Sequence, residues 1–324
     1  MTTKRQQTGF SLIELMIGLV LGLFVTGIVI TVFTQSKRNY NQDEEIARLQ
    51  ENGRYAMQLL SRDLAMAGFL GNMQIADDVT VNLGTDSDCG INWNDESPLD
   101  KPIRLFDDDN STPPANPPSC LSTALADSEI LIIKHMGGGP TSPSLDKIIM
   151  RSNGKDGTLF ITSSTTPANY QDWEFLVHAY YVADEDGDGL PGLYRKRVIS
   201  NGGALQVVSD GNIVPGVQDF RVTFGLDTGT DGIADIYKTS PTEAELSAAV
   251  SARLDILVRT SNPDFTYTNN KTYLVGSTTI SGQDILTNND GNGDNYYGRV
   301  FSTTVQMRNV AYHIQINNLA EDDL

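Results

Sequence analysis

Residues that carry most enzyme chemistry are scarce in this chain: among 324 positions there are two cysteines and three histidines. Two cysteines, at this length, exclude a knottin-like scaffold held by disulfides. The histidines, His135, His178 and His313, fall in apparent strands with no metal spacing and no nucleophile nearby in sequence, and no CxxC pair or phosphate-binding glycine loop occurs. A structural role for each histidine and no enzymatic activity are therefore expected. Basic residues are also few, 23 against 41 acidic, for a net charge of −18 that disfavours nucleic acid as a direct partner. The deficit is uneven: residues 1–70 hold seven basic and six acidic residues, and the remainder carries a balance of −19.

Proline is missing from the first 97 residues, so nothing there forbids one long helix. What is present is a long apolar run. Phe10 to Thr34 are 25 residues in which Glu14 is the single charge, enough at ~1.5 Å per residue to cross about 30 Å of hydrocarbon. A secretory signal peptide would be shorter and end in a small-residue cleavage site, whereas Lys37 and Arg38 follow here, so the segment is expected to be retained. Lys4 and Arg5 balance Lys37 and Arg38, and charge alone does not orient the span. Beyond it Ile46, Leu49, Gly53, Ala56, Leu60, Leu64 and Ala67 keep a helical period, with Gly68 and Gly71 as terminators. A helix from about Phe10 to Ala67, its second half packed on a globular head, is predicted.

Glu14 is the anomaly, because a carboxylate in an apolar span is costly without a partner. The segment Gly9-Phe10-Ser11-Leu12-Ile13-Glu14-Leu15, behind a short basic leader, resembles the type III signal of type IV prepilins and pseudopilins. The resemblance implies cleavage by prepilin peptidase between Gly9 and Phe10 and N-methylation of Phe10. It also implies that Glu14, fifth in the mature chain, sets register by pairing with a neighbouring subunit's new amine. Gly18 and Gly22 share a helix face that would let backbones approach. Family members often carry a helix-breaking proline where this chain has Thr31.

Residues 72–128, rich in Asp, Asn, Pro and Ser, are expected to form an irregular insertion. Cys89 and Cys120 bracket it; a disulfide would close a loop of about 32 residues, worth about 3 to 4 kcal/mol, and would place the head outside the cytoplasm. After it come short strand-like runs at 130–135, 148–151, 158–162, 175–183, 193–200, 205–208, 220–224, 254–259 and 299–307. A helix is predicted over 241–252, with Ser240 as cap and Glu243 completing a capping box. The fold class is α+β, type IV pilin-like, divided into a leader (1–9), a span (10–34), an amphipathic helix (35–71), the insertion (72–128) and a β-rich head (129–324).

The runs Leu190–Arg195, Phe224–Asp227 with Asp231 and Asp235, Arg253–Arg259, and Val300–Val305 with Arg308 and Asn309 resemble the PilW-type minor pilins in the same order. That resemblance implies a priming or tip complex with other minor pilins and the major pilin, presenting a large tip adhesin, in a filament serving adhesion, twitching motility or DNA uptake. The implied location is the inner membrane, single-pass, with the head in the periplasm. The J-type minor pseudopilin of type II secretion is the nearest rival; the K-type characteristically lacks the fifth-position Glu. Asp184, Asp186 and Asp188 before Gly189 imitate the start of a calcium loop, as do Asp227, Asp231 and Asp235, and more weakly Asn288, Asp290 and Asn292. Arg195 and Lys238 stand where the bidentate Glu belongs, so no cofactor is required and calcium is an option. A calcium-dependent adhesin on a pilin anchor is the remaining alternative.

Overall fold

The computed structural model describes residues 9–73, 79–83, 101–106, 118–125, 128–162, 164–229, 231–283 and 295–311. One helix, α1 (Leu12–Met66), dominates the first part of the chain. The chain divides into two units, Met1–Ala47 and Arg48–Leu324. In the first unit α1 runs unbroken past Gly27 and Thr31, whose hydroxyl donates to the Gly27 carbonyl at 2.9 Å. Its large apolar side chains from Leu12 to Phe33 are exposed. Among the described residues α1 is the one helix long and apolar enough to cross a membrane.

The second unit carries the rest of α1 and, among the described residues, fourteen strands. Leu49, Gly53, Ala56, Leu60 and Leu64 are buried, as is Ala67 beyond the helix end, which reproduces the predicted stripe because a period of 3.6 keeps them on one face. Gly53 is required by contact: a Cβ there would stand 2.2 Å from the Phe301 ring. Gly68 and Gly71 take φ of +72° and +69°, ending the helix as left-handed positions that glycine adopts without strain. Asn309 caps it from afar, its side-chain amide donating to the Ala65 and Ala67 carbonyls at 3.2 and 3.4 Å.

The largest sheet has eight strands: β1 (Val79–Asn82), β2 (Ile103–Phe106), β3 (Ile130–Pro140), β4 (Ile149–Ser152), β5 (Gly157–Phe160), β6 (Gln171–Ala183), β7 (Gly192–Asn201) and β8 (Ala204–Pro215). β6 is its spine: one edge pairs with β3, and the other pairs first with β4 and then with β7. All pairings but β1 with β5 are antiparallel. A second sheet orders β10 (Ile236–Lys238), β9 (Val217–Leu226), β11 (Ala249–Arg259) and β14 (Gly298–Gln306). β12 (Thr272–Val275) and β13 (Thr278–Ser281) form a hairpin. One core joins the α1 stripe to inward residues of both sheets, including Leu131, Ile133, Tyr180, Val222 and Ile256; the other fills the opposite face of the large sheet around Leu121, Phe175 and Trp173.

Two expectations change. Residues 72–128 are not uniformly irregular: Val79–Asn82 and Ile103–Phe106 are strands, each recruited by a partner strand's free edge. The helix predicted over 241–252 is one turn, α2 (Glu243–Leu246), capped by Thr242 rather than Ser240, with Glu245 rather than Glu243 closing the box. From Ala249 the chain joins β11, where ladders to β9 and β14 satisfy the backbone on both sides and outweigh local helix preference.

Candidate functional site

The amino-terminal signal has a definite local form. Ser11 caps α1: its hydroxyl accepts from the Glu14 amide at 3.2 Å, while Glu14 Oε2 accepts from the Ser11 amide at 3.0 Å and from its hydroxyl at 3.1 Å. This is a capping box, and it satisfies Glu14 within its own chain. Gly9 and Phe10 precede the helix in exposed, non-helical backbone, the form a peptidase can draw into a cleft. Gly18 and Gly22 have nothing within 4 Å of where a Cβ would stand, so that face is open.

A second constellation lies in the second unit. Leu131, Ile133 and His135 alternate along the α1-facing side of β3, and His178, Tyr180 and Val182 along that side of β6. Because Ile133 pairs with His178 and His135 with Leu176, the two imidazoles are diagonal neighbours, with ring centroids 5.8 Å apart. Asp63 descends from α1 onto them. Its Oδ2 lies 2.5 Å from His178 Nδ1 and accepts from the Tyr180 hydroxyl at 2.6 Å; its Oδ1 lies 3.9 Å from His135 Nε2. All three residues are buried, and their ligand atoms fall within 4.8 Å of one another.

Burial alone would raise the Asp63 carboxyl, but the hydrogen bond and charge of His178 and the Tyr180 hydroxyl outweigh it and hold the group below the usual carboxylate range. Burial pushes His135 down. Burial and the adjacent Asp63 push the Tyr180 phenol up, so it stays a donor. The cluster is thus a buried carboxylate held by hydrogen-bond donors between a helix and a sheet, and two imidazoles with a carboxylate are also a metal-ligand set. The histidines show no metal spacing along the sequence, yet the fold brings His135 and His178 together with Asp63. Asp63 on an apolar helix face, three residues after Leu60, was the signal available in the sequence.

The aspartate loops are drawn together differently. Asp184 Oδ2 accepts from the Gly189 amide at 3.0 Å and Asp188 Oδ1 from Leu190 at 2.8 Å. Asp227 accepts from Gly229 and Gly232, Asp231 from Ile233, and Asp235 from Thr228 and Gly229. These carboxylates close turns on backbone amides, and neither triplet forms a compact ligand group among the described residues. Asp186 lies exposed beside them. Cys120 sits in a single 3-10 turn, its carbonyl accepting from Lys196 Nζ at 2.8 Å. Cys89, His313 and the Asn288, Asp290 and Asn292 loop lie outside the described residues.

Residues 4–30 match the prokaryotic N-terminal methylation motif, and residues 179–309 match the family of the type IV pilus-assembly protein W. Together the two matches support a PilW-type type IV pilin. The longer match runs from the end of β6 through β14 to Asn309, so it includes Tyr180 and the residue that caps α1, and it begins just after His178. The chain is also similar in structure to a type IV-like pilin from Thermus thermophilus, at 14% identity and a TM-score of 0.35, over 81% of this chain and 97% of the other. No curated protein shows significant sequence similarity to it. The N-terminal methylation motif and the long apolar helix fit a membrane-anchored pilin.

Proposed function

We propose that this minor pilin acts in a priming or tip complex that initiates type IV pilus assembly together with other minor pilins and the major pilin. The observation that carries the reading is the amino terminus: exposed Gly9–Phe10 backbone directly ahead of a capped, apolar helix with Glu14 in its first turn. Cleavage by prepilin peptidase creates a cationic amine at Phe10, which is then methylated. In apolar surroundings that amine and a carboxylate are each costly alone and are stabilised as a pair. Glu14 would exchange its contact with Ser11 for the amine of an adjacent subunit, and this exchange sets register.

In this reading the head lies in the periplasm, anchored by one inner-membrane span, and a Cys89–Cys120 bridge forms there. Presentation of a large tip adhesin, and support of adhesion, twitching motility or DNA uptake, follow from a tip location, with DNA held by other subunits because this head is strongly acidic. Calcium at the Asp184–Asp188 and Asp227–Asp235 loops is a separate proposal that filament assembly does not need. Glu14→Ala tests the central claim. It should leave the head folded and the precursor processed while surface piliation and incorporation fall; normal incorporation would sink the register role. Incorporation into secretion pseudopili instead would favour the J-type assignment.

A further inference from the structure

His135 has a fixed tautomer. Its Nδ1 lies 2.8 Å from the Met136 carbonyl, and a carbonyl oxygen only accepts, so Nδ1 carries the hydrogen and Nε2 of the neutral ring presents a lone pair. That lone pair is turned towards Asp63 Oδ1 at 3.9 Å. The ring is 6% exposed, and Nε2 has no hydrogen-bond partner. A buried acceptor set against a carboxylate is unfavourable on two counts, lost hydration and charge–lone-pair repulsion. Both are removed by a cation that accepts from the two atoms at once.

We propose that Asp63, His135 and His178 bind a divalent transition-metal ion, zinc by donor type, and that the ion pins α1 to β3 and β6. Zinc bonds to imidazole nitrogen and carboxylate oxygen are each about 2.0–2.2 Å, which sets neighbouring ligand atoms of a tetrahedral site about 3.4 Å apart, so His135 Nε2 and Asp63 Oδ1, 3.9 Å apart, need close by only about half an ångström to share one ion. His178 Nδ1 is the third ligand. It now shares a proton with Asp63 Oδ2, and metal entry displaces that proton, which the ring can carry on Nε2. Two imidazoles and one carboxylate are a borderline donor set that suits zinc better than calcium or magnesium.

The surroundings match those of metal sites. The Met136 carbonyl orients one ligand through the far ring nitrogen, and the Tyr180 hydroxyl orients the carboxylate, as outer-shell partners do. The side chains of Asp63 and His178 keep a tenth of their surface exposed, so the cluster is not sealed from solvent. Asp63, His135 and His178 all lie outside the two family matches.

The test uses the full chain without a polyhistidine tag, purified in detergent, stripped with chelator and titrated with zinc. About one zinc per chain should bind, zinc should raise the thermal midpoint, and cobalt in its place should give the visible bands of a four-coordinate site. His135→Leu should lower zinc affinity at least roughly 100-fold, more than outer-shell changes cost. That variant orphans no hydrogen bond of Asp63; should it fail to fold, the wild-type cobalt spectrum and zinc-dependent midpoint decide alone. A wild-type chain that binds no stoichiometric zinc overturns the proposal. So does zinc binding that is unchanged in folded His135→Leu.

Discussion

The hydroxyl of Tyr180 donates to the carboxylate of Asp63 at 2.6 Å, a hydrogen bond between residues 117 positions apart that ties the helix to the middle of the large sheet. The same oxygen takes His178 Nδ1 at 2.5 Å. A single carboxylate therefore satisfies two buried donors from β6, and the join between α1 and its sheet is specified by polar chemistry as well as by the Leu49–Ala67 stripe.

Asp63→Ala should destabilise the chain by about 3 kcal/mol, since it strands a buried phenol and a buried imidazole N–H. Asp63→Asn keeps an acceptor and should cost less. Denaturant unfolding monitored by tyrosine and tryptophan fluorescence reads the difference. Wild-type stability for the Ala variant would mean the two donors find other partners.

Gly53 and Phe301 should behave as a coupled pair. A Cβ at residue 53 would stand 2.2 Å from the ring, so Gly53→Val should cost about 1–3 kcal/mol through overpacking. Phe301→Ala opens that space, and the double variant should be more stable than the two single losses predict. An additive double-mutant cycle would show that the strand shifts instead.

Asp210 should contribute to acid unfolding. Burial would raise its carboxyl, but hydrogen bonds from Arg197 and Arg195 across the β7–β8 pair hold it below the usual range. A carboxyl lowered in the folded state binds fewer protons than the unfolded chain, so its contribution is full above the unfolded value, about 3.9. It is lost as pH falls through the lower folded value. The drop in thermal midpoint between pH 5 and 2 should be shallower in Asp210→Asn; curves of equal slope would exclude the contribution.

The Asp227 loop should keep its form in chelator, because its carboxylate accepts from the Gly229 and Gly232 amides at 3.0 and 2.6 Å. Asp227→Ala should lose about 1–2 kcal/mol in chelator and in millimolar calcium alike. A loss that grows when calcium is added would instead identify the carboxylate as a cation ligand.

The sequence alone determined what periodicity and local chemistry can encode. The helix limits, the buried stripe and nine of the strands follow from spacing that any chain segment carries within itself, whereas the signal around Glu14 was legible through its resemblance to prepilins. Contacts between distant segments were beyond that reach. β1 and β2 are short and sit among polar, turn-rich residues, so their pairing is decided by the exposed edges of β5 and β3. α2 shrank because the sheet claimed Ala249 onward. His135 and His178 looked isolated because strand register, a property of two segments and not of one, is what sets them diagonally on a face beneath Asp63. Each of the three is unremarkable in its own segment; only the tertiary structure removes them from water together, and burial is what turns them into a site.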